Sequence, residues 1–177
     1  FDKNEILKAS GIEFPAPLLD IIPKQIESNL IRELSFKAVS VNRHILPKEL
    51  IINVLDRDAI AYAQRIVSGE LEHGLLDADA VWIPVKWEEK NDLKKELLVE
   101  GWMESHKESI AFILHRRKAL GGSLTKIILS SSGEISLRTD QFDLITLGSN
   151  PDLITSQIET LSHLSNSLPD RFINKSG

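Results

Sequence analysis

Cysteine is missing from the 177-residue chain. Its absence excludes a disulfide framework, a thiol nucleophile and a thiolate metal centre, and it fits a reducing compartment, so a cytoplasmic location is expected. Long hydrophobic runs are missing too: none approaches the roughly 20 apolar residues that span a bilayer. The N-terminus lacks the basic segment and apolar core of a signal peptide. Membrane insertion is therefore not expected, although the chain begins at Phe1, so a targeting segment could precede it. Positive charge is in deficit, with 21 Lys and Arg against 26 Asp and Glu. The net charge of −5 gives no global attraction to nucleic acid, and any polyanion site must be local. No Walker A loop, dinucleotide glycine pattern, Gly-x-Ser-x-Gly elbow or His-Glu-x-x-His pair occurs, which removes the commonest signatures of nucleotide, acyl-transfer and zinc-protease chemistry.

What is present describes a folded protein. The 42% hydrophobic and 27% charged fractions are those of an ordinary globular domain. With no internal repeat and no linker-like tract, residues 1–177 are read as one α+β domain: a helical N-terminal segment to 35, a mixed core over 36–148, and a C-terminal helix and tail over 149–177. Ile22, Ile26, Leu30 and Leu34 recur every four residues, and Pro23 suits a first helical turn, which predicts a helix from there. Alternation over 36–46 predicts a strand ended by Pro47. The apolar run 50–55 predicts a strand buried on both faces. Asp56 or Asp58 then offers a cap for a helix carrying Ile60, Ala63 and Val67 and ending near Gly69, so that strand, helix and the next strand at 81–87 have a βαβ-like order. The charged stretch from Glu88 to Glu100 is read as a solvated helix or loop. A helix from Trp102 with Met103, His106, Ile110, Ile113 and Leu114 on one face ends at Gly121 and Gly122. Alternation on both sides of Ser131, Ser132 and Gly133 predicts a β-hairpin near 123–138, residues 142–147 a further strand, and Asn150-Pro151-Asp152 the start of a last helix. The expected architecture is a mixed sheet of about five strands packed by four or five helices.

Few constellations carry chemistry. Glu70, Glu72, His73, Asp77 and Asp79 could face a metal, but a polar connection explains them without one. His106, on an apolar stripe, is read as a hydrogen-bonded, partly buried histidine. Arg116, Arg117 and Lys118 form the basic cluster, a candidate anion site, although cations at a helix C-terminus also complement its dipole. Ser130, Ser131 and Ser132 have no evident base.

Two of the three tryptophans lie in the stretch VWIPVKW, residues 81–87. As a strand, it would turn Val81, Ile83, Val85 and Trp87 toward the core and Trp82, Pro84 and Lys86 away from it. Pro84 has no N–H, which predicts an edge strand. Trp82 is then either covered by a neighbouring helix or an anchor for a partner, with Pro84 and Lys86 beside it.

The segments INVLDRDAIAYA, VWIPVKWEE and LRTDQFDLI resemble the acidic landmarks of PIN-domain ribonucleases. That resemblance implies a hydrolase in which Asp56, Glu89, Glu108 and Asp140 hold Mg²⁺. The pattern departs from the family in having about 50 residues before the strand-end acid, a glutamate at 108 and a hairpin before Arg138. A second, shorter likeness, ELSF, SGEL and AVWIP, resembles part of the cytoplasmic domain of type III export-gate proteins. Without a complete catalytic signature, the reading preferred is a non-enzymatic protein-interaction or assembly module with a protein partner and no cofactor, Mg²⁺ belonging to the hydrolase alternative alone. Phosphate or nucleic-acid binding at the basic cluster is the weaker alternative.

Overall fold

The computed structural model describes residues 2–13, 15–84, 96–120 and 122–167. Its class is the α+β predicted, and its chain groups into two compact units, Phe1–Asp58 and Ala59–Gly177.

In the first unit, helix α1 (Lys3–Ser10) starts with a capping box. The Glu5 N–H donates to Asp2 Oδ1 at 2.8 Å and the Asp2 N–H to Glu5 Oε2 at 3.0 Å, which satisfies two otherwise unpaired donors. Helix α2 (Pro23–Leu34) begins with its proline, as the spacing predicts, and buries Ile26 and Leu30. Strands β1 (Ala38–His44) and β2 (Glu49–Leu55) form an antiparallel ladder of their own, with Ala38 opposite Leu55. The core is small: Ile21, Ile26, Leu30, Phe36 and Val41. The run 50–55 is a strand but is not buried on both faces, since Val54 and Leu55 are exposed. A two-stranded ladder packed on one helix has only one covered face to offer it.

The second unit corrects the reading of residues 59–84. The segment predicted as a helix is strand β3 (Ala61–Val67), hairpinned to β4 (Glu70–Leu76). Its inward residues are the small Ala61 and Ala63, both essentially inaccessible. Ser68 and Gly69 both have positive φ, at 53° and 86°, the backbone a two-residue hairpin turn requires. β5 (Trp82–Pro84) pairs antiparallel with β4. β6 (Leu98–Glu100) then lies parallel to β3 on one side and to β7 (Leu124–Leu129) on the other. Helix α3 (Lys107–Arg116) links β6 to β7, so a parallel crossover exists, but there and not among the described residues of 50–87. β7 forms the predicted hairpin with β8 (Ile135–Thr139), Gly133 taking φ 82°, and β9 (Ile145–Gly148) adds to β8.

The sheet order is β5-β4-β3-β6-β7-β8-β9, seven strands where about five were expected, and with the β1–β2 ladder the described residues hold nine. Helix α4 (Pro151–Ser167) opens with the Asp152 N–H donating to Asn150 Oδ1 at 3.0 Å. Ile110, Ile113 and Leu114 of α3 and Ile154, Ile158 and Leu161 of α4 share one core with Val99, Ile127, Ile135 and Leu137. Alternate residues of β8 are buried and the ones between are not, which places both helices on one face of the sheet. Of the charged stretch 88–100, residues up to 95 lie outside the described ones, and Leu98–Glu100 is the central strand.

Candidate functional site

The tryptophan strand is an edge, as Pro84 predicts: among the described residues β4 is its only strand neighbour. The faces are reversed from the sequence reading. Trp82 is 8% exposed and belongs to the main core, whereas Val81 and Ile83 are half-buried. Its ring lies 5.4 Å from that of Trp102, tilted by 42°. The Arg65 guanidinium sits 4.2 Å from the Trp82 centroid and 5.5 Å from that of Trp102, and its Nε donates to Glu72 Oε2 at 2.6 Å. Trp102 donates its indole N–H to the carbonyl of Ala80 at 3.1 Å. Gly74 makes room for Trp82: a Cβ there would lie 2.3 Å from the Trp82 ring. Trp82 is therefore packing, which removes it as a partner-facing anchor. Pro84 remains exposed at the edge, and Lys86 and Trp87 lie outside the described residues.

Sequence reasoning missed Arg65 and the pairing of Trp102 with Trp82. A glycine in the middle of a strand, Gly74, was the available signal, because such a glycine marks close approach of something large.

Four of the carboxylates serve local structure. Asp77, buried, accepts from the N–H groups of Asp79 at 3.0 Å and Val81 at 2.9 Å, shaping the turn before β5. Asp79 Oδ1 is 3.0 Å from His115 Nε2, which fastens that turn to α3, and Glu72 is paired with Arg65. Among the described residues no three His, Asp or Glu side chains gather as a metal-binding group. Of the acids implied by the PIN resemblance, Asp56 follows β2 in the first unit, Glu108 is in the first turn of α3, and Asp140 follows β8. Glu89 lies outside the described residues. Asp140 Oδ1 accepts from the Ser123 N–H at 2.8 Å.

The basic cluster divides by residue. Arg116 lies over the Phe112 ring at 5.5 Å, and Arg117 donates to the Leu114 carbonyl at 2.8 Å, capping the end of α3. Arg117 and Lys118 do share with Asp140, Glu96 and Ser123 an open cleft of about 620 Å³. Two cations face two carboxylates there, so the cleft has no single-sign field with which to select a phosphate. His106 is half-buried with Nδ1 2.9 Å from Ser105 Oγ, and its ring packs where a Cβ on Gly133 would stand, 2.8 Å from Nε2. The serine turn is internally bonded, Ser130 Oγ lying 2.7 Å from Ser132 Oγ and accepting from the Glu134 N–H at 3.0 Å.

No family model matches the chain, and no curated protein matches it either.

The other edge of the large sheet is β9. Among the described residues β8 is its only strand neighbour, and it contains Ile145, Thr146, Leu147 and Gly148 without a proline or a charge. Leu147 is buried and Thr146 exposed, so one face of the strand is anchored and the other accessible. Successive N–H groups of a strand point to opposite sides, so β9 has backbone donors and acceptors that β8 does not use.

Proposed function

We propose that the chain is a non-enzymatic protein-interaction or assembly module that takes an extended partner segment on the β9 edge. Main-chain pairing with such an edge gives affinity, and the alternate side chains give selectivity. The observation that supports this reading most is the contrast in edge chemistry within one sheet. β5 is blunted by Pro84, while β9 carries none of the proline or charge by which exposed edges are commonly protected. The exposed Leu144 just before β9 adds an apolar contact for a docked strand.

The test uses two prolines, Ile145→Pro and Thr146→Pro. Because these neighbours direct their N–H groups to opposite sides, one substitution removes a donor to β8 and the other a donor to the open side. The variant that keeps the wild-type thermal midpoint is the one altered on the open side, and it is expected to lose capture of the partner from extracts of the native host. If that variant captures the same partner as the wild type, the β9 edge is not the docking surface.

A further inference from the structure

The two-stranded ladder of the first unit has one edge met by a side chain and one edge without a strand partner. On β1 the Val41 N–H donates to Glu27 Oε1 of α2 at 2.8 Å, so it points away from β2. Val41 stands opposite Ile52, which makes theirs a pair that exchanges no ladder hydrogen bonds. Such pairs alternate with bonded ones along an antiparallel ladder, so Leu50, Ile52 and Val54 all turn their N–H and C=O groups to the outer side of β2. A second bond agrees: the Lys37 N–H donates to the Leu55 carbonyl at 2.8 Å, so the residues between these three are the ones that face β1. Among the described residues β1 is the only strand neighbour of β2. The run Leu50-Ile51-Ile52-Asn53-Val54 holds neither proline nor charge to guard the edge.

The same three residues form the unfinished side of the small core. Leu50 and Ile52 pack against it while only half-buried, and Val54, on their face of the strand, is 39% exposed. A unit ending at Asp58 is of the size at which folds are marginal alone, and association is a common supplement. An edge that joins a copy of itself must be its own complement, and β2 meets that condition. With two copies antiparallel about a two-fold axis at Ile52, Ile52 meets Ile52 and Leu50 meets Val54 of the second copy. All of these turn their backbone groups outward, so each pair can exchange two hydrogen bonds. Just beyond the ladder ends Lys48 comes opposite Asp56, twice by symmetry, and over 48–56 no like charges are set opposite each other. We propose that β2 is a self-association edge, which pairs with β2 of a second copy of this chain to give a four-stranded sheet in the order β1-β2-β2-β1. A foreign strand would meet the same donors, but the self-complementary pattern singles out a copy. The proposal does not depend on the β9 edge.

The experiment is sedimentation velocity of the whole chain over a range of concentrations. A monomer–dimer equilibrium is expected. Val54→Pro removes an outward N–H and no bond to β1, the kind of position at which an edge strand tolerates proline, and it is expected to shift the chain to monomer with the far-UV circular dichroism kept. Lys48→Asp sets aspartates opposite each other on both sides of the axis and is expected to weaken the dimer roughly tenfold or more. Lys48→Asp combined with Asp56→Lys restores opposite charges in the same register and should recover most of that loss. Both side chains are exposed, so neither change disturbs the core. If Val54→Pro alters the dichroism, the charge exchange decides alone. A chain that stays monomeric, a folded Val54→Pro that still dimerises, or a double variant that recovers nothing of what Lys48→Asp loses overturns the proposal.

Discussion

The two edges of the seven-stranded sheet differ in how their backbones are guarded. At β5 the strand is short, ends in a residue without an N–H, and is pinned from behind by Trp82 packed on Trp102 and Arg65. At β9 the strand is held by Leu147 on one face, and its backbone is not blunted by composition. The difference teaches that the aromatic residues, which draw the eye in the sequence, mark the closed edge. The edge that is open among the described residues is written in ordinary residues, and its character is a matter of what it does not contain.

Breaking the closed edge should have the largest effect. Trp82→Ala is expected to cost about 3 to 5 kcal/mol, as truncation of a buried aromatic does, seen as a lower midpoint in denaturant unfolding. If Trp82→Ala left stability unchanged, Trp82 would not be core and the comparison between the edges would fail. Gly74→Ala follows, at about 1 to 3 kcal/mol, because its new methyl would meet the Trp82 ring and force the strand or the ring to move. The proline pair at 145 and 146 comes next. Its inward member is expected to lose about 1 to 2 kcal/mol for a ladder hydrogen bond, and its outward member close to nothing. Pro84→Val should change stability by no more than about 0.5 kcal/mol. It is instead expected to raise self-association in sedimentation, since it restores a donor to the edge that proline blunts.

Much of the fold was legible where a long segment had one period and a clear punctuation mark. Helix α2 was announced by Pro23 and a four-residue stripe, α4 by Asn150 and Pro151, and the β7–β8 hairpin by alternation around Gly133. Residues 60–67 misled because Ile60, Ala63 and Val67 fit a helical stripe as well as Ala61 and Ala63 fit an alternating one, and a short window cannot separate the two periods. The decisive signal was Ser68-Gly69, a hairpin turn that also resembles a helix end. The orientation of the tryptophan strand was not legible for a different reason. Which side of a strand faces the core depends on which face the helices cover, and that is settled by α3 and α4, far along the chain. The candidate site was less legible still: His106 behaved as its apolar neighbours implied, but an open edge is a relation between strands, and no motif spells it.

Strand β6 has a further consequence, for how the protein folds. It is three residues long, yet it is the seam through which two hairpins become one sheet, with Val99 inaccessible between β3 and β7. The β3–β4 and β7–β8 hairpins need only short loops to close, whereas seating β6 requires the chain to pass from β5 beyond β4 and β3, and then α3 to return it alongside β7. Local pairing should therefore precede the parallel seam, which closes last and commits the sheet. A single smaller side chain at Val99 would weaken the seam itself.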